Sequence, residues 1–154
     1  MDNKKRIEEL KRKNKITNLC KIWMDKNISI SILDFLEIQE TLYLQRKILD
    51  KLEKMDSDKK SMVYSDQETN IISIFTEELI NNIDNNKKYV FFIKGVDKIG
   101  GLVLSGKIIK ENAEFIIGES EIFDRGCNIF FSSLNAENGI CLWKGEYDSR
   151  IYVW

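Results

Sequence analysis

Tyr89-Val90-Phe91-Phe92-Ile93-Lys94 is the stretch at which the sequence changes rhythm. Before it, apolar residues recur at intervals of three and four, which lines them up along one side of an α-helix. From it onward, β-branched and aromatic residues dominate with a period of two, which suits strands. Working back from Tyr89, the spacing predicts three helices. The nearest starts at Ser65 with Glu68 at capping-box spacing, carries Ile72, Phe75, Leu79 and Ile83, and is stopped by Asp84-Asn85-Asn86. The middle helix follows the alternation Ile28-Ser29-Ile30-Ser31 and uses Ser31 with Asp34 as its cap. It runs through Phe35, Ile38, Leu42, Leu49 and Leu52 to about Met55, leaving 56–60 as a solvated loop. The first helix spans 4–25 on a stripe of Ile16, Leu19, Cys20 and Trp23. Only Ile7 and Leu10 continue that stripe upstream, so its opening turns should project into solvent.

Working forward, strands are predicted at 89–94, 102–109, 114–117, 128–132, 140–143 and 150–154. The links at 110–113, at Asn138-Gly139 and at 144–149 have hairpin lengths, so neighbouring strands should pair antiparallel. The expected fold is α+β. About three N-terminal helices (1–86) pack on a C-terminal antiparallel meander of about five to six strands (87–154), in one domain spanning 1–154. In the last strand Ile151 and Val153 should face one way and Arg150, Tyr152 and Trp154 the other, with helices against only one of these faces.

A chain of 154 residues that is 43% hydrophobic has the size of one domain with a real core. No apolar run approaches the ~20 residues that cross a bilayer, and the N-terminus leads into charge, so a cytoplasmic protein without membrane contact is expected. Cys20, Cys127 and Cys141 are odd in number and widely spaced, which suits reduced thiols acting as small apolar side chains. Histidine is absent. That removes Ser-His-Asp and Cys-His nucleophiles, His-ligated zinc and every imidazole base, and the expectation is a protein without catalytic residues, metal or cofactor. The abundance of Ile, Lys and Asn points to an AT-rich bacterial or phage genome.

Charge is uneven although the net is −1. Residues 1–27 carry nine Lys or Arg against four Asp or Glu, whereas 111–154 carry three against eight. The basic start, including Lys4, Lys5, Arg6, Lys11, Arg12, Lys13 and Lys15, has the charge to neutralise phosphates, but Glu8 and Glu9 interrupt it and no nucleic-acid motif follows. Nucleic acid is therefore the less favoured partner. Gly95-Val96-Asp97-Lys98-Ile99-Gly100-Gly101 lacks the Gly-Lys-Ser/Thr ending of a phosphate loop and is followed by a strand, so it reads as a hairpin turn. Glu119, Glu121 and Asp124 cluster in a loop before the strand at 128–132. Such carboxylates can bind metal or do acid-base chemistry, yet at this spacing they fit better as a negative patch for a basic partner. Glu146, Tyr147 and Asp148, in the closing hairpin between Trp143 and Arg150, are further candidate partner contacts.

The helical first half, the strand Gly100-Gly101-Leu102-Val103-Leu104, the acidic loop, and the closing runs Asn138-Gly139-Ile140-Cys141-Leu142-Trp143 and Ile151-Tyr152-Val153-Trp154 together resemble immunity proteins of bacterial contact-dependent inhibition and other polymorphic toxin systems. The resemblance spans mainly 89–154 and is one of architecture. It implies a small non-catalytic cytosolic protein that binds and blocks a cognate toxin domain, often a nuclease, through an acidic face; no functional residue carries over. The function expected is thus neutralisation of a cognate protein toxin domain by occlusion, with Glu119, Glu121, Asp124, Glu146, Tyr147 and Asp148 as contacts. The alternative is a nucleic-acid-associated regulatory protein using the basic first helix, and an enzyme working with carboxylates alone ranks third.

Overall fold

The computed structural model describes residues 3–65, 70–122 and 128–154. Its helices are α1 (Asn3–Met24), α2 (Ile38–Ser57), α3 (Ile71–Asn82), α4 (Val96–Ile99), α5 (Gly106–Glu111) and α6 (Ala113–Gly118). Its strands are β1 (Met62–Ser65), β2 (Lys88–Phe91), β3 (Leu102–Ser105), β4 (Ile129–Ser133), β5 (Gly139–Lys144) and β6 (Asp148–Val153). The strands form one sheet in the order β1-β6-β5-β4-β2-β3, with every neighbouring pair antiparallel. This is the expected α+β architecture. β4, β5 and β6 make the meander, and the β2–β3 hairpin joins it through β2.

The stretch that changes the rhythm is apolar without a break because both of its faces are covered. Val90, Phe91, Phe92 and Ile93 are all buried, alternating between two cores. On one face, Phe91, Phe131, Ile140, Leu142 and Ile151 pack against Ile16 and Trp23 of α1, Phe75 and Leu79 of α3, and Ile109, Ile116 and Ile117 of α5 and α6. On the other, Val90, Phe92, Phe130, Cys141 and Tyr152 meet Leu44, Ile48 and Leu52 of α2. The expectation that helices look at a single face is corrected: α2 crosses to the opposite face from the other long helices. The alternation within β6 holds, with Ile151 in the first core and Tyr152 in the second.

Several expected elements take a different form. The strand at 102–109 ends at Ser105, whose hydroxyl accepts the Ile108 amide at 3.3 Å and caps α5. Gly106 lets the Asp84 carbonyl approach where a Cβ would collide with it. The expected strand at 114–117 and the hairpin link at 110–113 are instead α6 and its junction with α5. Ile109, Ala113, Ile116 and Ile117 are buried at helical spacing, so packing overrides the strand preference of isoleucine. Ser31 and Asp34 do form a capping box, but on a single 3₁₀ turn, Ile32–Asp34; α2 starts at Ile38 and buries Thr41, Leu44, Ile48 and Leu52 in place of Leu42 and Leu49. Ser65 ends a strand, β1, that the helical reading of the first half did not contain, and α3 begins at Ile71; Glu68 lies outside the described residues.

Gly95-Gly101 does connect an antiparallel pair, β2 and β3, through the one-turn α4. Gly100 has φ 90°, and a side chain there would strike the Leu36 carbonyl. The chain entering α2 lies against this spot: the Leu36 amide donates to the Gly101 carbonyl at 2.9 Å, and the Gly101 amide donates to Thr41 Oγ1 at 2.8 Å. Arg12 staples α1 to the same place, donating to the Ile99 carbonyl at 3.1 Å, the Leu36 carbonyl at 3.0 Å and Glu37 at 3.2 Å.

Candidate functional site

The antiparallel register puts the end of β2, the start of β4 and the β5–β6 turn at one end of the sheet. Five of the six candidate contacts lie there, at two corners separated by β4. At the first corner Glu119 follows α6, and its carbonyl accepts the Lys94 amide at 3.0 Å. Glu121 Oε1 accepts the Gly95 amide at 3.2 Å. Both side chains are half-buried, so this pair belongs to a helix end docked on the β2 terminus and not to an open loop. Asp124 lies outside the described residues.

The second corner is the hairpin tip. The Gly145 amide donates to the Asp148 carbonyl at 2.8 Å, closing a tight turn that lifts Glu146 and Tyr147 away from the sheet. Tyr147 is 77% exposed. Asp148 is not free: Arg150 donates to its Oδ2 through Nε at 3.3 Å and NH2 at 3.2 Å. The NH1 of Arg150 reaches Asp56 Oδ1 at 3.1 Å, bridging the hairpin to the last turn of α2. The Tyr152 hydroxyl completes the network, its proton shared between the Asp56 oxygens at 2.9 and 3.0 Å. These ion pairs are half-exposed, so they add little to stability, on the order of 1 kcal/mol or less each, but they orient the hairpin. A groove of about 330 Å³ lies beside the network, with Leu49 and Trp143 as apolar walls and Glu53, Asp56 and Asp148 as its acids.

Asp56 falls in the segment expected to be a solvated loop. Nothing in its local sequence announces a contact 96 positions away. Arg150 and Tyr152 do share a face by alternation, which is the one signal that an acidic partner is needed nearby. Burial, and then the hydrogen bond to Asp56, push the Tyr152 phenol up to about 12. The unfolded value is ~10, so the folded state holds this proton more tightly. Its contribution is complete below pH ~10 and is lost as pH rises through ~10 to about 12. Stability of the wild type should therefore fall more steeply across that window than stability of Tyr152→Phe, as read by chemical denaturation at stepped pH. Parallel slopes would show that the phenol is not held as described.

The cysteines fit their expected role where they are described. Cys141 is buried in the second core and Cys20 packs on the edge of the first; burial raises both thiols, with Asp34 adding to the effect at Cys20, so neither is an activated nucleophile. Cys127 lies outside the described residues. Among the described residues no group of three His, Cys, Asp or Glu is placed to hold a metal ion, and no helix is long and apolar enough to cross a membrane.

The last six residues of α1, α2, every strand and both acidic corners fall within one continuous match, over residues 19–154, to the model of a protein family described as YxiF protein. The chain belongs to the YxiF family. Comparison with curated proteins and with solved structures found no match. The YxiF match begins inside α1 and leaves the basic residues from Lys4 to Lys15 outside it. Within this YxiF-family chain those residues are not one uniform patch. Arg12 has a side chain only 15% exposed and is committed to α4 and the entry of α2, whereas Lys11, Lys13 and Lys15 are exposed.

Proposed function

We propose that this protein binds a cognate bacterial toxin domain, such as a nuclease, and neutralises it by covering its active or substrate-binding surface. The observation that carries this reading is the hairpin tip: an exposed tyrosine flanked by two acids, on a turn braced to α2 by Arg150 and Asp56. A rigid aromatic with little ordering entropy to lose, set in negative charge, has the composition of an anchor for a cationic surface. Glu119 and Glu121, at the same end of the sheet, extend the negative field and favour encounter with a positive partner. The resemblance to polymorphic-toxin immunity proteins supplies the class of that partner. Neutralisation then needs no bond made or broken; a toxin that binds a polyanionic substrate loses access to it when its basic surface is occupied.

Association with the product of the gene adjacent to that of this chain tests the reading. The affinity should decline as salt is raised, because exposed charges steer and support the complex. Association that is insensitive to salt, or absent, would remove the acidic end from the mechanism.

A further inference from the structure

The surface of α1 that faces away from the protein carries a second kind of charge. Ile16 and Trp23 fix the inward side of this helix. At about 100° per residue, the opposite half of the helix displays Arg6, Lys11, Lys15 and Lys21 together with Asn14, Asn18 and the exposed Ile7, Leu10 and Ile22, and it contains no Asp or Glu. The acids of the helix point elsewhere. Glu8 and Glu9 line a groove of about 670 Å³ between α1, the start of α2 and α4, together with Lys5, Arg12, Glu37 and Asp97, and Lys11 and Lys15 border this groove as well as the outer face. What reads in the sequence as a basic run broken by glutamates is thus an outer face without acids, bordered on one side by a mixed-charge groove to which Lys11 and Lys15 also contribute.

We infer that this outer face of α1 is a binding surface for the phosphate backbone of a nucleic acid. From Arg6 to Lys21 the face is about 22 Å long, which spans roughly six phosphates of one strand of a duplex. Lysines supply the charge for counterion release, and the asparagine amides are donors suited to phosphate oxygens. A membrane is a poorer occupant, since Ile7, Leu10 and Ile22, exposed at about half of their surface, are scattered among the lysines and form no continuous apolar side to insert. An acidic protein is also poorer, because the face carries no aromatic anchor. The residues used are not those of the toxin-binding proposal, so the two stand or fall separately.

The test is fluorescence anisotropy of the full chain with a labelled mixed-sequence duplex of two helical turns, starting at about 50 mM salt, where nonspecific binding is strong. Four cations on phosphates give a slope of log K against log salt of about −3.6. Lys11→Glu, Lys15→Glu and Lys21→Glu together should abolish binding while leaving the far-ultraviolet dichroism unchanged; Arg12 is left alone because it staples the fold. Three outcomes would overturn the inference: no binding by the wild type at low salt, equal binding by the triple variant, or capture by phosphatidylserine vesicles with none by the duplex.

Discussion

Phe131→Ala should lower the free energy of unfolding by about 3–5 kcal/mol, the range for removing a large aromatic side chain from a close-packed interior. Phe131 is wholly buried in the middle of the sheet, opposite Phe91 on β2 and Ile140 on β5. Its ring stacks on that of Phe91 with centroids 4.9 Å apart and an interplanar angle of 19°. Truncation leaves a cavity bounded by strands whose own pairing prevents collapse, so the transfer loss and the cavity term add. Equilibrium urea unfolding reads the effect as a lower midpoint with the slope retained. Leu33→Ala, at a side chain 90% exposed on the 3₁₀ turn before α2, should stay within about 0.5 kcal/mol and serves as the control. A Phe131→Ala midpoint as high as that control would mean that the first-face core is not packed as described.

Glu146→Gln combined with Tyr147→Ala should weaken the proposed toxin complex by about 100-fold or more. A central aromatic anchor is worth about 2 kcal/mol or more on truncation, which alone is about 30-fold, and loss of a flanking charge adds to it. The two parts separate kinetically. Tyr147→Ala should act on dissociation, because it removes desolvated contact, while Glu146→Gln should act on association and reduce the salt sensitivity. Asp148 is left in place because it holds Arg150, and changing it would disturb the brace between the hairpin and α2. Glu119→Gln with Glu121→Gln should have the smaller effect, since both side chains are half-buried and Glu121 accepts the Gly95 amide. Surface plasmon resonance resolves these contributions; equal losses at both corners would deny the hairpin its role as the anchor.

The fold class was legible because the change of period at Tyr89 is strong, and because Phe75, Leu79, Trp23 and the β4–β5–β6 meander each carry a clean local pattern. Misreadings fell where local and tertiary preferences disagree. Ile108, Ile109, Ile116 and Ile117 have the branched side chains of strands, yet they pack at helical spacing beneath the sheet. Met62 to Ser65 is too short to show a period, and it becomes a strand only because β6 offers an edge. For the candidate site, acidity and the exposed tyrosine could be read from residue types. The bracing of the tip by Asp56 could not, since two positions 94 apart meet only through packing of α2 on the second face. Likewise, the capture of Arg12 by Leu36 and Ile99 is invisible in a run of basic residues.

The most direct test of the central claim is survival of cells that express the product of the gene adjacent to that of this chain, with and without the chain itself. Neutralisation predicts survival and co-purification of the two proteins, with both lost in the Glu146→Gln, Tyr147→Ala variant even though that variant remains folded. Death in the presence of the folded wild-type chain, with no complex recovered, would contradict the account.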